Sequence, residues 1–340
     1  MTLRLSVLDV SPVPSGSTAG QALRNTVDLA RRAEAAGCTR YWLAEHHNSP
    51  GIASSSPEVM IGQVAAATST MRVGSGGVML PNHSPLRVAE AFRVLEALFP
   101  GRIDLGLGRA PGTDALTAYA LRRSREAMSV DDFPEQLAEL LAFLADDWPT
   151  DHPFAAVTAV PAGVGTPQLW ILGSSGYGAQ AAAALGLGAA FASHIAPGLA
   201  VGALQSYRQQ FRPTAYGAAP RSILAAAVVC AETDELAEEL AASSDLAWLR
   251  IGQGRSGPVP SPAEAHAYDY TAAERAQVAA NRSRFHVGSP ATVARRLTAL
   301  AAQAGADEVM VLSTVHDHEA RVRSYELLAA ALGVGRTVAA

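Results

Sequence analysis

The chain has 340 residues with 26 basic and 31 acidic side chains, and 49% of its residues are hydrophobic against 17% that are charged. This balance predicts a globular protein with a large core and excludes a disordered, fibrous or coiled-coil chain. The sequence has no lysine, so all 26 cationic side chains are arginine, which excludes a P-loop, a pyridoxal Schiff base and other lysine chemistry. The net charge of −5 and the scattered arginines argue against a nucleic-acid partner.

The N-terminus alternates apolar and polar residues like a strand and lacks the basic and apolar regions of a secretory signal. The apolar stretch at 185–204 is interrupted by Ser193, His194 and Pro197, which is typical of a buried strand and a loop and not of a membrane span. Cys38 and Cys230 are isolated, so they form neither a disulfide framework nor a zinc site. We therefore expect a cytoplasmic protein.

Short apolar runs alternate with alanine- and leucine-rich segments of helical spacing along nearly the whole chain. Strands are predicted at 3–10, 39–44, 72–80, 103–108, 168–172, 189–193, 222–229 and 308–313. Helices are predicted at 19–36, 57–68, 85–98, 133–145, 178–185, 198–211, 235–249, 291–304 and 318–332. The alternation indicates a parallel α/β protein, and eight strands predict a (β/α)8 TIM barrel that spans 1–340 as a single domain. A doubly wound sheet is disfavoured because no glycine-rich fingerprint follows the first strand.

Two proline- and glycine-rich segments, at 148–167 and 252–284, interrupt this alternation. Long irregular segments in a compact domain are often functional lids. In a barrel we expect both insertions to lie at the rim beside the active site. The alternative is a surface excursion without function.

Polar residues stand where several predicted strands end. Glu45, His46 and His47 follow the second strand, and the carboxyl ends of barrel strands are where active sites form. The alternative is one histidine in the core and one on the surface. A metal site is disfavoured because adjacent strand residues point in opposite directions and no second ligand cluster is present.

Three further motifs lie at the following strand ends. Glycines interrupt the third strand, including Gly76 and Gly77, and mark a bulge or a close approach by a flat body. Arg109 follows the fourth strand and indicates an anion. After the fifth strand, Ser174, Ser175, Gly176 and Tyr177 lead into a helix, where backbone amides form a phosphate site or where Ser174 is merely an N-cap.

The motifs at 45–47, 73–81, 101–109 and 172–175 are similar in order and spacing to those of the bacterial luciferase-like flavin monooxygenases. The resemblance covers nearly all of residues 1–335. It is closest to a single-subunit actinobacterial branch, some members of which tailor aromatic polyketides.

The resemblance implies a role for each motif. His46 matches the catalytic histidine, and Glu45 is expected to orient it. Gly76 and Gly77 match a non-proline cis peptide against the flavin ring. Arg109 matches the phosphate-binding arginine, whereas Ser174 and Ser175 stand where the luciferase α subunit has a Glu–Ser pair. The lost glutamate leaves the phosphate dependent on Arg109, on the amides near Gly176 and Tyr177, and on the nearby arginines, Arg122 and Arg123.

The resemblance further implies a two-component monooxygenase. Reduced FMN from a separate NAD(P)H:flavin reductase would react with O2 to give a flavin hydroperoxide that oxygenates a small organic substrate, either an aldehyde or an aromatic polyketide. The family also implies a homodimer through the helices at 57–68 and 85–98. The rival hypotheses are a deazaflavin-dependent dehydrogenase, a non-catalytic flavin-binding protein and a metal-dependent hydrolase using Asp9, His46 and Glu45.

Overall fold

The computed structural model describes residues 3–124 and 132–335, which form a closed parallel barrel. Its strands are β1 (Arg4–Asp9), β2 (Arg40–Leu43), β3 (Arg72–Ser75), β4 (Val78–Met79), β5 (Ile103–Gly108), β6 (Gln168–Gly173), β7 (Gly188–Ala192), β8 (Ser222–Cys230), β9 (Phe285–Gly288) and β10 (Glu308–Leu312). The barrel closes because β10 pairs in parallel with both β1 and β8. This arrangement confirms the predicted (β/α)8 TIM barrel.

Twelve α-helices lie in the described ranges: α1 (Ala19–Ala35), α2 (Pro57–Ala67), α3 (Pro85–Leu98), α4 (Ala115–Arg122), α5 (Phe133–Ala145), α6 (Gly176–Leu185), α7 (Ala200–Gln210), α8 (Asp234–Gly252), α9 (Pro262–Ala267), α10 (Ala272–Asn281), α11 (Pro290–Ala304) and α12 (His318–Leu332). The nine predicted helices are all present. Among the residues described, no helix combines the length and apolarity needed to span a membrane.

The third barrel strand differs from the continuous strand predicted at 72–80. It is divided into β3 and β4, and the intervening Gly76–Gly77 peptide bond is cis, as the family resemblance implied. Both halves pair with β5, so together they fill one place in the barrel. The eight positions are therefore β1, β2, β3 with β4, β5, β6, β7, β8 and β10.

The barrel has an inner core and an outer shell. The interior cluster includes Trp42, Trp170, Ile223 and Met310, all buried. A larger apolar cluster fills the space between the strands and the surrounding helices. Because strand side chains alternate between the two faces, each strand contributes to both layers.

A network of buried charges closes the amino end of the barrel. Arg40 lies on β2, and its guanidinium donates to Asp104 and to Glu308 at 2.7 Å each. Arg72 also binds Asp104 at 2.7 Å, and Trp42 Nε1 donates to the same carboxylate at 2.9 Å. These mutual contacts compensate charges that would otherwise be costly to bury.

The insertion at 148–167 lies at this amino end and not beside the barrel mouth. It connects the end of α5 to the start of β6, and such helix-to-strand connections run on the side opposite the active site. The buried guanidinium of Arg93 on α3 donates to the carbonyls of Ala159 in the insertion and Phe143 in α5, both at 2.8 Å. This position corrects the expectation that the segment lies at the active-site rim.

The insertion at 252–284 lies at the carboxyl end, and it is more regular than expected. It contains α9 and α10, whose N-termini have complete capping boxes built on Ser261 with Glu264 and on Thr271 with Glu274. Val259 exchanges backbone hydrogen bonds of 2.8 Å with Val13 and Ser15 in the loop after β1. With α8 and β9 it forms one excursion between β8 and α11, above the barrel mouth.

Candidate active site

Glu45 lies just after β2 and forms the centre of a hydrogen-bonded cluster. Its side chain is 1% exposed and accepts hydrogen bonds from His47 Nε2 and His83 Nε2, both at 2.8 Å, and from the Met79 amide at 2.9 Å. Burial acts to raise the pKa of Glu45, but the bonds and charge of His83, together with His47 and the Met79 amide, lower it overall. The anion thus ties the end of β2 to the segment that follows the cis peptide.

His46 is held differently from the arrangement that the sequence suggests. The predicted orientation of its ring by Glu45 is not what the structure shows, because the Glu45 carboxylate bonds to His47 and His83 instead. The His46 amide donates to the Ser54 carbonyl at 3.0 Å, which fixes the backbone. Its ring atom Nδ1 is buried without a hydrogen-bond partner among the described residues. Burial lowers the pKa of His46, which favours its neutral imidazole.

The glycines of the third and fourth barrel positions bring two backbones into close contact. A Cβ added to Gly77 would lie 2.7 Å from the Gly106 carbonyl oxygen, and one added to Gly112 would lie 3.0 Å from the backbone carbonyl oxygen of Glu45. Real Cβ atoms do not approach to 2.7 Å, so a side chain is excluded at Gly77, and the tight 3.0 Å contact together with the positive φ of Gly112 disfavours one there. The result is a wall of bare backbone at the third and fourth barrel positions.

Arg109 and Tyr177 meet at the start of α6. The Arg109 guanidinium carbon lies 4.3 Å from the centre of the Tyr177 ring. Ser175 is the N-cap residue of α6, but its side chain makes no capping hydrogen bond, and a Cβ added to Gly176 would meet nothing within 4 Å. Uncapped amides, open space and a guanidinium at a helix N-terminus are features that favour anion binding. Ser174, half-buried, precedes this turn.

Arg122 and Arg123 lie at the end of α4, a helix that the sequence analysis missed. Arg122 Nε donates to Asn82 Oδ1 at 3.4 Å, and Arg123 is an exposed C-cap residue with positive φ. The described contact of Arg122 joins α4 to the turn after β4. Their predicted role at the phosphate stays a prediction.

Two functional candidates were missed in the sequence. His194 follows β7 and is buried, with Nδ1 donating to the Ala225 carbonyl over a long 3.4 Å. Burial, with the charges of His46 and Arg284, lowers the pKa of His194 to about 4. His83, the second donor to Glu45, is the other. His194 carried a readable signal because it follows a predicted strand, whereas the contact of His83 with Glu45 spans 38 residues.

Asp9 is engaged in a structural network and is not placed as a metal ligand. It is fully buried, binds Arg321 at 2.6 Å and accepts a hydrogen bond from Thr26 at 2.8 Å. In the described part of the chain, the group with metal-binding geometry is Asp28, His318 and Glu319, which lies on α1 and α12 outside the barrel. The hydrolase hypothesis therefore gains no support from Asp9.

Comparison with known proteins places this geometry in a family. Residues 3–308 match the model of the luciferase-like monooxygenases. A luciferase-like monooxygenase of Escherichia coli strain K12 is 44% identical over 326 residues, covering 96% of each chain. The N-acetyl-S-alkylcysteine monooxygenase of Bacillus subtilis strain 168 is 37% identical over 331 residues, covering 97% of this chain and 98% of that protein. The crystal structure of apo-MsnO8 is 40% identical, with a TM-score of 0.88 and coverage of 98% and 99%.

Two more distant structures share the fold. The oxygenating constituent of 3,6-diketocamphane monooxygenase from Pseudomonas putida, in complex with FMN, has a TM-score of 0.69 at 18% identity over 97% of each chain. An F420-dependent secondary alcohol dehydrogenase has a TM-score of 0.67 at 14% identity, covering 98% of this chain and 99% of that one. At these identities the similarity establishes the barrel alone.

Proposed function

Because the chain belongs to the luciferase-like monooxygenase family, we propose that it uses reduced FMN and O2 to oxygenate a small organic molecule. A separate NAD(P)H:flavin reductase would supply the reduced FMN, and both proteins would act in the cytoplasm. The observations that carry this proposal are the bare glycine wall with its cis peptide at Gly76–Gly77 and the buried His46 Nδ1, which has no hydrogen-bond partner among the described residues. A planar ring fits against backbone, and an unpartnered imidazole nitrogen is available to a ligand.

The residues present fit FMN at both of its ends. The phosphate would be held by Arg109, by Ser174 and Ser175 and by the uncapped amides at Gly176 and Tyr177. The ring would lie against Gly76 and Gly77. The open space at Gly176 is what a phosphate needs, because a side chain there would occupy the anion position.

Reduced FMN would supply the electrons that activate O2 for transfer of one oxygen atom. His46 would hold or accept a proton at Nδ1, because its neutral ring has a free nitrogen inside the buried site. Glu45 would act through His47, His83 and the Met79 amide by fixing the walls of the site. The insertion at 252–284 would exclude water, since it covers the carboxyl end of the barrel.

The substrate stays open between an aldehyde and an aromatic polyketide, and the relative from Bacillus subtilis adds a thioether. That relative is an N-acetyl-S-alkylcysteine monooxygenase, and an S-alkylcysteine contains a thioether. All three classes present an apolar group near an oxidisable centre.

The decisive experiment supplies reduced FMN enzymatically and measures product and hydrogen peroxide together. We expect oxygenated product from at least one aldehyde, aromatic or thioether substrate, with less peroxide released than in the protein-free reaction. Peroxide production equal to the protein-free reaction with every substrate class would contradict the proposal.

The deazaflavin-dependent dehydrogenase is the second candidate, since an F420-dependent enzyme shares the barrel. Equilibrium titration with FMN and with F420, each oxidised and reduced, discriminates the two hypotheses. Tight binding of F420 with substrate-dependent hydride transfer would support the dehydrogenase. Tight FMN binding without any substrate oxidation would support a flavin-binding protein.

We also propose a homodimer through α2 and α3. These helices expose Val59 (62%), Val94 (46%) and Leu98 (65%). Exposed aliphatic side chains on adjacent helices are typical of an association surface. Sedimentation of the protein and of Leu98→Glu tests this: a dimer in the first and a monomer in the second is expected, and a monomeric parent protein would contradict it.

A further inference from the structure

The mouth wall between β7 and the insertion carries a guanidinium without an acidic partner. Arg284 precedes β9, and its Nη1 donates to the carbonyls of Ile195 at 2.5 Å and His194 at 3.4 Å. Within residues 3–124 and 132–335, no carboxylate pairs with Arg284 and its Nε and Nη2 make no hydrogen bond. By contrast Arg282, two positions earlier, binds Asp245 at 2.7 Å.

An aromatic pair flanks this guanidinium. The rings of Trp248 and Phe285 meet edge to face with centroids 5.7 Å apart, and the Arg284 guanidinium carbon lies 5.7 Å from the Trp248 ring. Phe285 is in register with Ala227 of β8, two residues beyond Ala225, which belongs to the interior cluster. Because strand side chains alternate, Phe285 lies on the interior face, where it packs against a buried cluster that includes Val229 and Val287.

This wall is separate from the phosphate site. Counted around the barrel, β7 is the sixth strand and β2 is the second, so the Arg284 wall stands opposite His46. Arg109 and Tyr177 follow the fourth and fifth strands instead. Burial keeps His194 neutral, with a pKa of about 4, so Arg284 supplies the positive charge on this wall.

On the basis of the function proposed above, we propose that Arg284 binds a carboxylate of the substrate, whose apolar part packs on Trp248 and Phe285. Backbone carbonyls accept hydrogen bonds from Nη1 and so orient the guanidinium. The edge formed by Nε and Nη2 makes no hydrogen bond to a described residue. Two parallel donors on one edge match the two oxygens of a carboxylate. No carboxylate of the described residues competes for this edge, so a ligand carboxylate can pair with it.

Isothermal titration of the full-length protein, with and without FMN, tests the subsite through a matched pair of probes, 2-naphthoate and its neutral carboxamide. We expect the carboxylate to bind at least ten times more tightly than the amide. Arg284→Gln should remove this preference and leave FMN and amide affinities within twofold, whereas Arg284→Lys should keep part of it. Arg255→Gln, an exposed arginine of the same insertion, is the matched control and should change neither affinity.

Three results would overturn the subsite. The first is equal affinity of the parent protein for the two probes. The second is an equal loss of affinity for both probes in Arg284→Gln. The third is weaker FMN binding in Arg284→Gln with an unchanged preference for the carboxylate probe. The reaction is tested separately by turnover. Carboxylate preference without FMN-dependent oxygenation would support the subsite and contradict the proposed reaction, whereas oxygenation with equal kcat/KM for acid and amide substrates would contradict the subsite alone.

Discussion

The two ends of the barrel differ in how their buried polar groups are satisfied. At the amino end, Arg40 donates to Asp104 and Glu308 at 2.7 Å, and the remaining Glu308 oxygen lies 4.0 Å from an exposed arginine. At the carboxyl end, His46 Nδ1 and Ser313 Oγ are buried and have no hydrogen-bond partner within residues 3–124 and 132–335. Glu308 Oε2 also makes no hydrogen bond to a described residue, but it belongs to a carboxylate that Arg40 compensates, whereas neither mouth atom has a hydrogen-bond partner in the described part of the chain.

The amino end of the barrel therefore contributes mainly to stability, and the carboxyl end offers groups for chemistry. An unsatisfied buried polar group costs about 1–3 kcal/mol, so the mouth groups destabilise the unliganded fold. The amino-end network opposes this cost because its charges are paired and hydrogen-bonded. A ligand that hydrogen-bonds to the mouth groups would supply the hydrogen bonds that these groups lack in the free protein. Substitutions at the amino end should therefore lower mainly the stability, and substitutions at the mouth should lower mainly the activity.

The largest effect is expected from Arg40→Met at the amino end. The variant leaves Asp104 and Glu308 buried without their shared cation, which should lower the free energy of unfolding by about 3–5 kcal/mol. Urea denaturation measures this loss. The control is Arg323→Met, because its pair with Glu232 is half exposed and should contribute less than about 1 kcal/mol. Similar losses in the two variants would show that the amino end does not hold the fold together.

His46→Ala at the mouth should reduce activity more than stability. Nδ1 has no hydrogen-bond partner among the described residues, so no protein hydrogen bond at that atom is lost and the free energy of unfolding should fall less than in Arg40→Met. Coupled oxygenation should fall by about 100-fold or more, because a proton-transfer group is lost. Product and peroxide yields measure coupling, and His266→Ala on exposed α9 serves as the control. Unchanged coupling in the His46 variant would remove it from the mechanism.

Much of the fold was predictable because its signals are local. Alternating strand and helix patterns predicted all eight barrel positions, and the motifs at strand ends converge at the mouth. The short strand β9 was missed because its four residues become a strand only where β8 extends beyond β7. The capping boxes of α9 and α10 were readable but were overlooked within a proline-rich segment.

The site was predicted less completely, since side-chain pairing depends on distant parts of the chain. Glu45 was expected to orient His46, yet its partners are its neighbour His47 and the remote His83. Arg284 likewise reaches the β7 loop across 89 residues. Residue type at a strand end predicts where chemistry occurs, whereas tertiary packing decides which atoms meet.

Glu45→Gln should produce an intermediate effect at the mouth. It keeps the shape but removes the charge that accepts three hydrogen bonds, and we expect a loss of about 2 kcal/mol in the free energy of unfolding at neutral pH. Glu45→Gln should also lower the pKa of His83, which Glu45 raises, as measured by NMR titration. Exposed Glu239→Gln is the control.

The pH dependence of the Glu45 contribution has a defined sign. The lowered pKa of Glu45 means that its stabilisation is present above its ordinary pKa of 4.5 and is lost as the pH falls through the lowered value. The raised pKa of His83 means that its contribution is present below 6.5 and is lost as the pH rises through the raised value. An unshifted His83 pKa in Glu45→Gln would contradict the charged cluster.

The contribution of His194 to stability is expected to vary gradually with pH. Burial lowers its pKa to about 4, so the folded protein binds fewer protons than the unfolded chain between pH 4 and 6.5. The free energy of unfolding should rise with pH across this window by about 1.4 kcal/mol per unit for this group. The contribution of His194 should be fully present above pH 6.5. His194→Asn should remove that increment, measured by urea denaturation at successive pH values.

His286 provides the control for the His194 measurement, because burial lowers its pKa to about 4 as well. The parent protein should show both increments, and each single Asn variant should lose one. A constant difference between parent and His194→Asn from pH 4.5 to 7 would mean that folded His194 titrates like the unfolded chain. The mouth would then gain a second cation beside Arg284 on acidification, and substrate anions would bind more tightly as the pH falls.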